Sequence, residues 1–403
     1  MSEQTKQQKI RNAIFIGVLC STSYLAVYFA RNILSAVSPQ MIESGGFSTE
    51  YIGTLSSIYF SCYAVGQLIN GAIGDKIKAR YMISFGLIFA GLFNILFPML
   101  SGAPFAAQIA YGFAGFALSM VYGPMTKVVS ENTDPIYTPR CCLGYTFASF
   151  FGTPLAGVVA AVLTWQQVFA TSSIALLVMG VVCFVIILLF ERMGVIRYGQ
   201  YKKEKQQGLG IRVLIRHRII RFTLISVLTG IVRTTVVFWL PTYLSQYLGF
   251  PAAQSAGIFT VSTFIISLTP FIAIFVYERL NRNMDLTIRI AFTVSTITFL
   301  LTYLIPNPIL NLCCLILAIM ASNAAASMLF SRYCPSLRDT GMVSAATGFL
   351  DFMSYMAAAV SSTLFANAVS DIGWKNLILV WLGLMICGML TAFIRFPERR
   401  AQK

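Results

Sequence analysis

Arg31-Asn32-Ile33-Leu34-Ser35-Ala36-Val37-Ser38-Pro39 stands in the first apolar stretch of the chain, and Arg233-Thr234-Thr235-Val236-Val237-Phe238-Trp239-Leu240-Pro241 stands in an apolar stretch of the second half. In each, the arginine is followed eight residues later by proline, then by a Gly-Phe pair (Gly46-Phe47, Gly249-Phe250) and by a further glycine (Gly53, Gly257). A guanidinium cannot neutralise itself by losing its proton, and placing it at mid-bilayer costs at least ~2.5–3.5 kcal/mol. A chain that carries this cost twice, once in each half, uses the charge. The use that fits is to hold an anion at the midplane between two related helix bundles.

The composition agrees with a membrane setting: 57% of the 403 residues are hydrophobic and only 11% are charged, against roughly 25% charged in a soluble domain. A span needs about 20 apolar residues to cross the hydrocarbon. Twelve segments qualify, at 13–38, 50–72, 82–101, 105–127, 141–163, 168–190, 219–245, 252–277, 290–305, 309–331, 341–367 and 376–395, the ninth reaching back towards Asp285. The first carries half of the repeat and is read as a retained span, not a cleaved leader. The net charge of +15 is distributed by topology. Alternating the spans from a cytoplasmic N-terminus puts every Lys and Arg on the inner face except Arg31, Arg233 and Lys375, so both termini are expected to be cytoplasmic. This bias speaks for contact with the lipid bilayer and against a nucleic-acid partner. The nine cysteines lie in or beside spans and the single histidine is His217. No disulfide, metal or cofactor is therefore expected.

The long polar interruption Glu191–Arg221 divides the spans six and six. The expected organisation is a bundle at 1–190, a basic cytoplasmic linker at 191–218 and a second bundle at 219–403. A parallel repeat of this kind is the arrangement of the two major-facilitator halves. Between the second and third spans stands Gly71-Ala72-Ile73-Gly74-Asp75-Lys76-Ile77-Lys78-Ala79-Arg80, with a weaker copy at Glu278-Arg279. This resembles the loop signature of the major facilitator superfamily. Asp75, Lys76 and Arg80, with Glu278 and Arg279, are expected to form a cytoplasmic latch that breaks as the halves rock.

Tyr24, Tyr28 and Arg31 are spaced by four and three residues and share a helix face. On the second span Tyr63 is followed one turn later by Gln67. Tyrosine hydroxyls beside an arginine suit a phosphate or carboxylate ligand. Asp351, inside the eleventh span, is an intramembrane carboxylate and so a candidate site residue. It could carry a proton, meet a cationic or hydroxylated part of the substrate, or offset Arg233.

The runs 24–80, 233–248 and 341–374 resemble the organophosphate:phosphate antiporter family, through Tyr24, Tyr28, Arg31, Phe47-Ser48, Tyr63, Gly71, Asp75, the Trp239–Leu244 segment and Gly348-Phe349. The resemblance implies an all-α major facilitator fold of 12 transmembrane helices in two pseudo-symmetric six-helix bundles. It also implies that Arg31 and Arg233 bind the phosphate group. The chain departs from the glycerol-3-phosphate members of that family at three positions. Asn32 and Gln67 stand where those members have lysines, and Ser149 where they have a histidine.

The resulting expectation is a non-enzymatic transporter in a bacterial inner membrane, acting as a monomer on a small organic anion. Its substrate would be a phosphorylated metabolite exchanged for inorganic phosphate. Two other readings remain open: proton-coupled symport of a carboxylate or sugar acid, with Asp351 titrating, and a transporter-like sensor signalling through the basic central segment.

Overall fold

The computed structural model describes residues 3–44, 46–73, 77–133, 137–198, 218–336 and 343–394. Asp75, Lys76 and most of the basic linker lie outside them. Among the described residues the regular structure is helical. In chain order the long helices are α1 (Glu3–Glu43), α2 (Thr49–Ile73), α3 (Ala79–Met99), α4 (Pro104–Asn132), α5 (Thr138–Val162) and α6 (Trp165–Arg192). They continue with α7 (Ile219–Gln246), α8 (Ala252–Arg279), α9 (Met284–Leu304) and α10 (Pro308–Tyr333). Finally α11 and α12 share the run Val343–Phe393, divided at Gly373, whose φ of 76° and ψ of 168° leave helical geometry. Ten helical runs are long and apolar enough to cross a membrane. The last of these holds both α11 and α12, and α5 adds the apolar stretch Phe150–Val162, which gives twelve passes.

Several helix ends are written in the sequence. Thr164 and Gln167 make a reciprocal capping box at the start of α6. The Asn283 side chain accepts from the Leu286 amide at 3.0 Å, and Asn307 caps α10 ahead of Pro308. These satisfy orphan amides that lipid could not. Large apolar side chains such as Val18, Phe113, Val178 and Ile297 are exposed, as lipid-facing residues are. The interiors are tied instead by close crossings and polar pairs, such as Asn94 to Ser172 at 2.6 Å and Tyr243 to Asn311.

Packing divides the chain into two compact units. One holds Met1–Ser48, Thr54–Lys203 and Phe250–Phe264; the other holds Thr49–Gly53, Glu204–Gly249 and Ile265–Lys403. Within the first, α1 packs on α5 and α6, and α3 packs on α4 and α6. Within the second, α7 packs on α11 and α9 on α10 and α12. The pairs α1–α5, α3–α4 and α3–α6 thus return as α7–α11, α9–α10 and α9–α12. Adding six to each helix number maps one pattern onto the other, which is the repeat first seen around Arg31 and Arg233.

Candidate anion-binding site

In the first unit, α1 turns Tyr24, Tyr28 and Arg31 to one face, and the Tyr24 and Tyr28 ring centroids lie 5.0 Å apart. The Arg31 guanidinium is half-buried among three rings. Its Cζ lies 5.4 Å from the Tyr28 ring centre, 5.0 Å from Tyr63 and 5.6 Å from Phe60. Ring faces attract the flat cation while preserving the planar fork of N–H donors that suits an oxyanion. The crossing of α5 over α1 depends on Gly152, where a Cβ would collide with the Tyr28 side chain and come within 2.9 Å of the Phe29 amide nitrogen. Asn32 is committed to its own helix, its side-chain amide donating to the Tyr28 carbonyl at 2.7 Å. Gln67 is half-buried on α2. Ser149 falls on α5, with its side chain outside the described residues.

In the second unit, Arg233 sits in a π-helical turn, Ile231–Val236, inside α7. Its guanidinium donates to the Ser354 hydroxyl at 3.3 Å and lies 3.6 Å from an Asp351 carboxylate oxygen, both on α11. Rings stand by it as they do by Arg31, with Phe330 of α10 at 5.6 Å and Tyr355 of α11 at 5.8 Å. Gly230, three residues before the arginine, permits this crossing. A Cβ there would run into the Ser354 side chain and lie 2.9 Å from its Cα. The Arg233 and Asp351 side chains keep 32% and 28% exposure. A partly solvated pair of that kind is worth under about 1 kcal/mol. Charge-assisted hydrogen bonds to an oxyanion are worth roughly 1.5–3 kcal/mol each.

The remaining candidates separate. Arg80 is buried at the start of α3 and donates to Glu191, at the end of α6, at 2.7 Å. Glu191 also accepts from the Tyr198 hydroxyl at 2.7 Å. Burial first, then that hydrogen bond and the charge of Glu191, push the Tyr198 phenol above its usual range. Arg80 is thus tied within its own unit. Glu278 and Arg279 are both exposed at the end of α8, with Arg279 lying over the Phe275 ring at 5.3 Å. Sequence reasoning missed Phe60, Phe330, Ser354, Tyr355, Tyr122 and Tyr145. Ser354 and Tyr355 carried a signal, since they follow Asp351 by three and four residues and so share its face. Phe330 and Tyr122 carried none, because each belongs to a helix whose neighbours are set by packing. Among the described residues, no group of three or more His, Cys, Asp or Glu is placed to hold a metal ion.

Two units of one helix pattern, each with an arginine held among rings beside a glycine crossing, define a multi-pass membrane protein built on an internal repeat. The chain belongs to the Major Facilitator Superfamily, whose family description matches residues 20–362. It is 35% identical over 74 residues to the membrane sensor protein UhpC of Escherichia coli (strain K12). That match covers 18% of this chain and spans only 17% of the relative's length. A fuller alignment, 20% identical over 416 residues, joins it to the phosphoglycerate transporter protein of Salmonella typhimurium and covers 95% of this chain and 87% of that one. The fold is similar to that of a bacterial homolog of the human lysosomal transporter Spinster, at a TM-score of 0.75 and 10% identity over 94% of this chain and 96% of the other.

Proposed function

We propose that the protein is a secondary transporter that exchanges a phosphorylated organic anion for inorganic phosphate by alternating access. One observation carries the reading: the repeat-related arginines Arg31 and Arg233 each stand among aromatic rings beside a glycine-dependent helix crossing of their own unit. In this proposal each guanidinium takes oxygens of a phosphate group. Tyr24, Tyr28, Asn32, Tyr63, Gln67 and Ser149 serve the first arginine, and Asp351 serves the second. An occupied pair of arginines is neutralised and permits the change of access. An arginine left without its oxyanion resists it, which makes exchange obligatory. The fuller relationship to a phosphoglycerate transporter protein supports a phosphate-bearing substrate. The same proposal sets the protein in a bacterial inner membrane as a monomer with both termini cytoplasmic, and makes Asp75, Lys76, Arg80, Glu278 and Arg279 the inner-face latch.

A second reading is favoured by the 3.6 Å approach of Asp351 to Arg233. A carboxylate that alternately pairs with an arginine and takes up a proton would couple anion entry to protons. The partial identity to a membrane sensor protein supports a third reading, ligand sensing without turnover. Purified protein in phosphate-loaded vesicles separates the three. Exchange predicts rapid uptake of labelled phosphate into loaded vesicles and little into empty ones. Uptake into phosphate-free vesicles driven by an inward proton gradient would replace exchange with symport. Saturable phosphate binding without uptake of any kind would leave the sensor.

A further inference from the structure

A tyrosine cluster in the first unit extends from Tyr24, beside the proposed phosphate site, to two tyrosines outside it. Tyr122 of α4 and Tyr145 of α5 both meet Tyr24 of α1, with ring centroids 5.5 Å apart for Tyr24–Tyr122 and 5.9 Å for Tyr24–Tyr145. Tyr122 and Tyr145 meet each other edge to face at 6.2 Å. Through Tyr24 the cluster continues into Tyr28 at 5.0 Å, and the Tyr28 ring carries Arg31. Three helices thus contribute phenols to one aromatic surface that runs up to the guanidinium.

Exposure is uneven across it. Tyr24 and Tyr145 are buried, while Tyr122 keeps 40% of its surface. That surface does not belong to the lipid face of α4, where Ile109 and Phe113 are exposed one turn apart. Tyr122 comes nine residues after Phe113, about 2.5 turns, which is half a revolution round the helix. Next to it, a Cβ built on Gly123 would meet nothing within 4 Å, so the backbone of α4 borders open space at this level.

We propose that Tyr24, Tyr122 and Tyr145 form a second subsite for the uncharged, polyhydroxylated part of the transported anion, so that the protein favours the phosphate ester of a sugar ring over that of a short chain. This rests on the phosphate-exchange reading above. The exposed face of Tyr122 suits the C–H face of a sugar ring and its hydroxyl can both donate to and accept from sugar hydroxyls, while the buried Tyr24 and Tyr145 hold that ring in place. The cluster starts one ring beyond the ring that carries Arg31. A six-carbon ring ester held at Arg31 extends further and carries more hydroxyls than a glycerol ester, so the cluster favours the ring.

The test is competition against labelled-phosphate exchange in reconstituted, phosphate-loaded vesicles, with glucose 6-phosphate and glycerol 3-phosphate as probes. Wild type is expected to bind glucose 6-phosphate about 10-fold more tightly than glycerol 3-phosphate, and Tyr122→Ala to erase that advantage while phosphate half-saturation stays within about twofold. Tyr122→Phe, which keeps the packing and removes the exposed hydroxyl, is expected to weaken glucose 6-phosphate alone, and serves if Tyr122→Ala does not fold. The subsite is overturned if glucose 6-phosphate has no advantage in wild type. It is also overturned if the variants leave the advantage intact, or weaken phosphate and sugar phosphate equally as a packing role would. Absence of phosphate exchange in wild type would remove the exchange reading and the subsite together. Normal phosphate exchange without sugar-phosphate preference removes the subsite alone.

Discussion

Arg31 and Arg233 differ in their company, and the difference governs what each contributes. Arg31 is framed by the rings of Tyr28, Phe60 and Tyr63, whereas Arg233 adds the Ser354 hydroxyl and the Asp351 carboxylate to its rings. In the exchange reading both present a planar fork to an oxyanion, where an ammonium at the same place would present a point charge. Arg31→Lys and Arg233→Lys are therefore expected to keep the charge but lower phosphate exchange by ~10-fold or more, the worth of one charge-assisted hydrogen bond. A lysine variant exchanging at the wild-type rate would exclude that arginine from phosphate binding. In the exchange reading Asp351 competes with the substrate for Arg233, but as a partly exposed pair it would compete weakly. Asp351→Asn is expected to tighten phosphate binding by no more than about fivefold, the equivalent of ~1 kcal/mol. Unchanged affinity, measured by equilibrium binding to detergent-purified protein, would take Asp351 out of the site. A variant that loses proton-driven accumulation while keeping counterflow would make Asp351 the proton carrier of the symport reading.

At the scale of helices, the second unit departs from the first around its arginine. Arg233 lies in a π-helical turn, and the facing helix α10 ends in another, Leu329–Tyr333, whose Phe330 lies against Arg233. A π-turn adds a residue to the helical ring and re-aims the side chains beyond it, and such turns gather at functional sites. The α7–α11 crossing beside it tolerates no side chain at Gly230. Gly230→Val is expected to push α11 away, to cost ~1–3 kcal/mol through overpacking, and to abolish exchange. Gly383→Ala on α12, where a Cβ meets nothing within 4 Å, is the control expected to keep exchange and to hold or slightly raise stability. A second node lies where α7 begins. Arg221 is buried and donates to Asp285 at 2.8 Å and to the Thr391 and Ala392 carbonyls at the end of α12. A cation there satisfies carbonyls that have no helical partner and opposes the negative end of the helix dipole. Arg221→Ala is expected to destabilise the protein by ~2–4 kcal/mol, seen as a lower unfolding temperature in detergent, whereas the exposed Arg279→Ala stays within about 0.5 kcal/mol.

For the whole molecule, the exchange reading requires that phosphate bind the folded protein and not the unfolded chain. Phosphate at 100 times its dissociation constant is then expected to add about 2.7 kcal/mol to stability, read as a raised unfolding temperature that sulfate at equal ionic strength does not reproduce. No shift with phosphate or its esters would sink the phosphate site. Much of this architecture is local and so was written in the sequence. Apolar length marked the passes, the ninth starting at Met284 as the reach back towards Asp285 anticipated. Steps of three and four put Tyr24, Tyr28 and Arg31 on one face, and the Arg-to-Pro-to-Gly recurrence disclosed two halves of one pattern. What the tertiary structure alone decided is which helices touch. It put Phe330 and Ser354 beside Arg233, Tyr122 and Tyr145 beside Tyr24, and Glu191 on Arg80. In a soluble protein the apolar stripe of a helix points to its neighbours. In a membrane both lipid and interior are apolar, so that stripe is lost, and the partners of each helix are set by small residues and polar pairs that have no period along the chain.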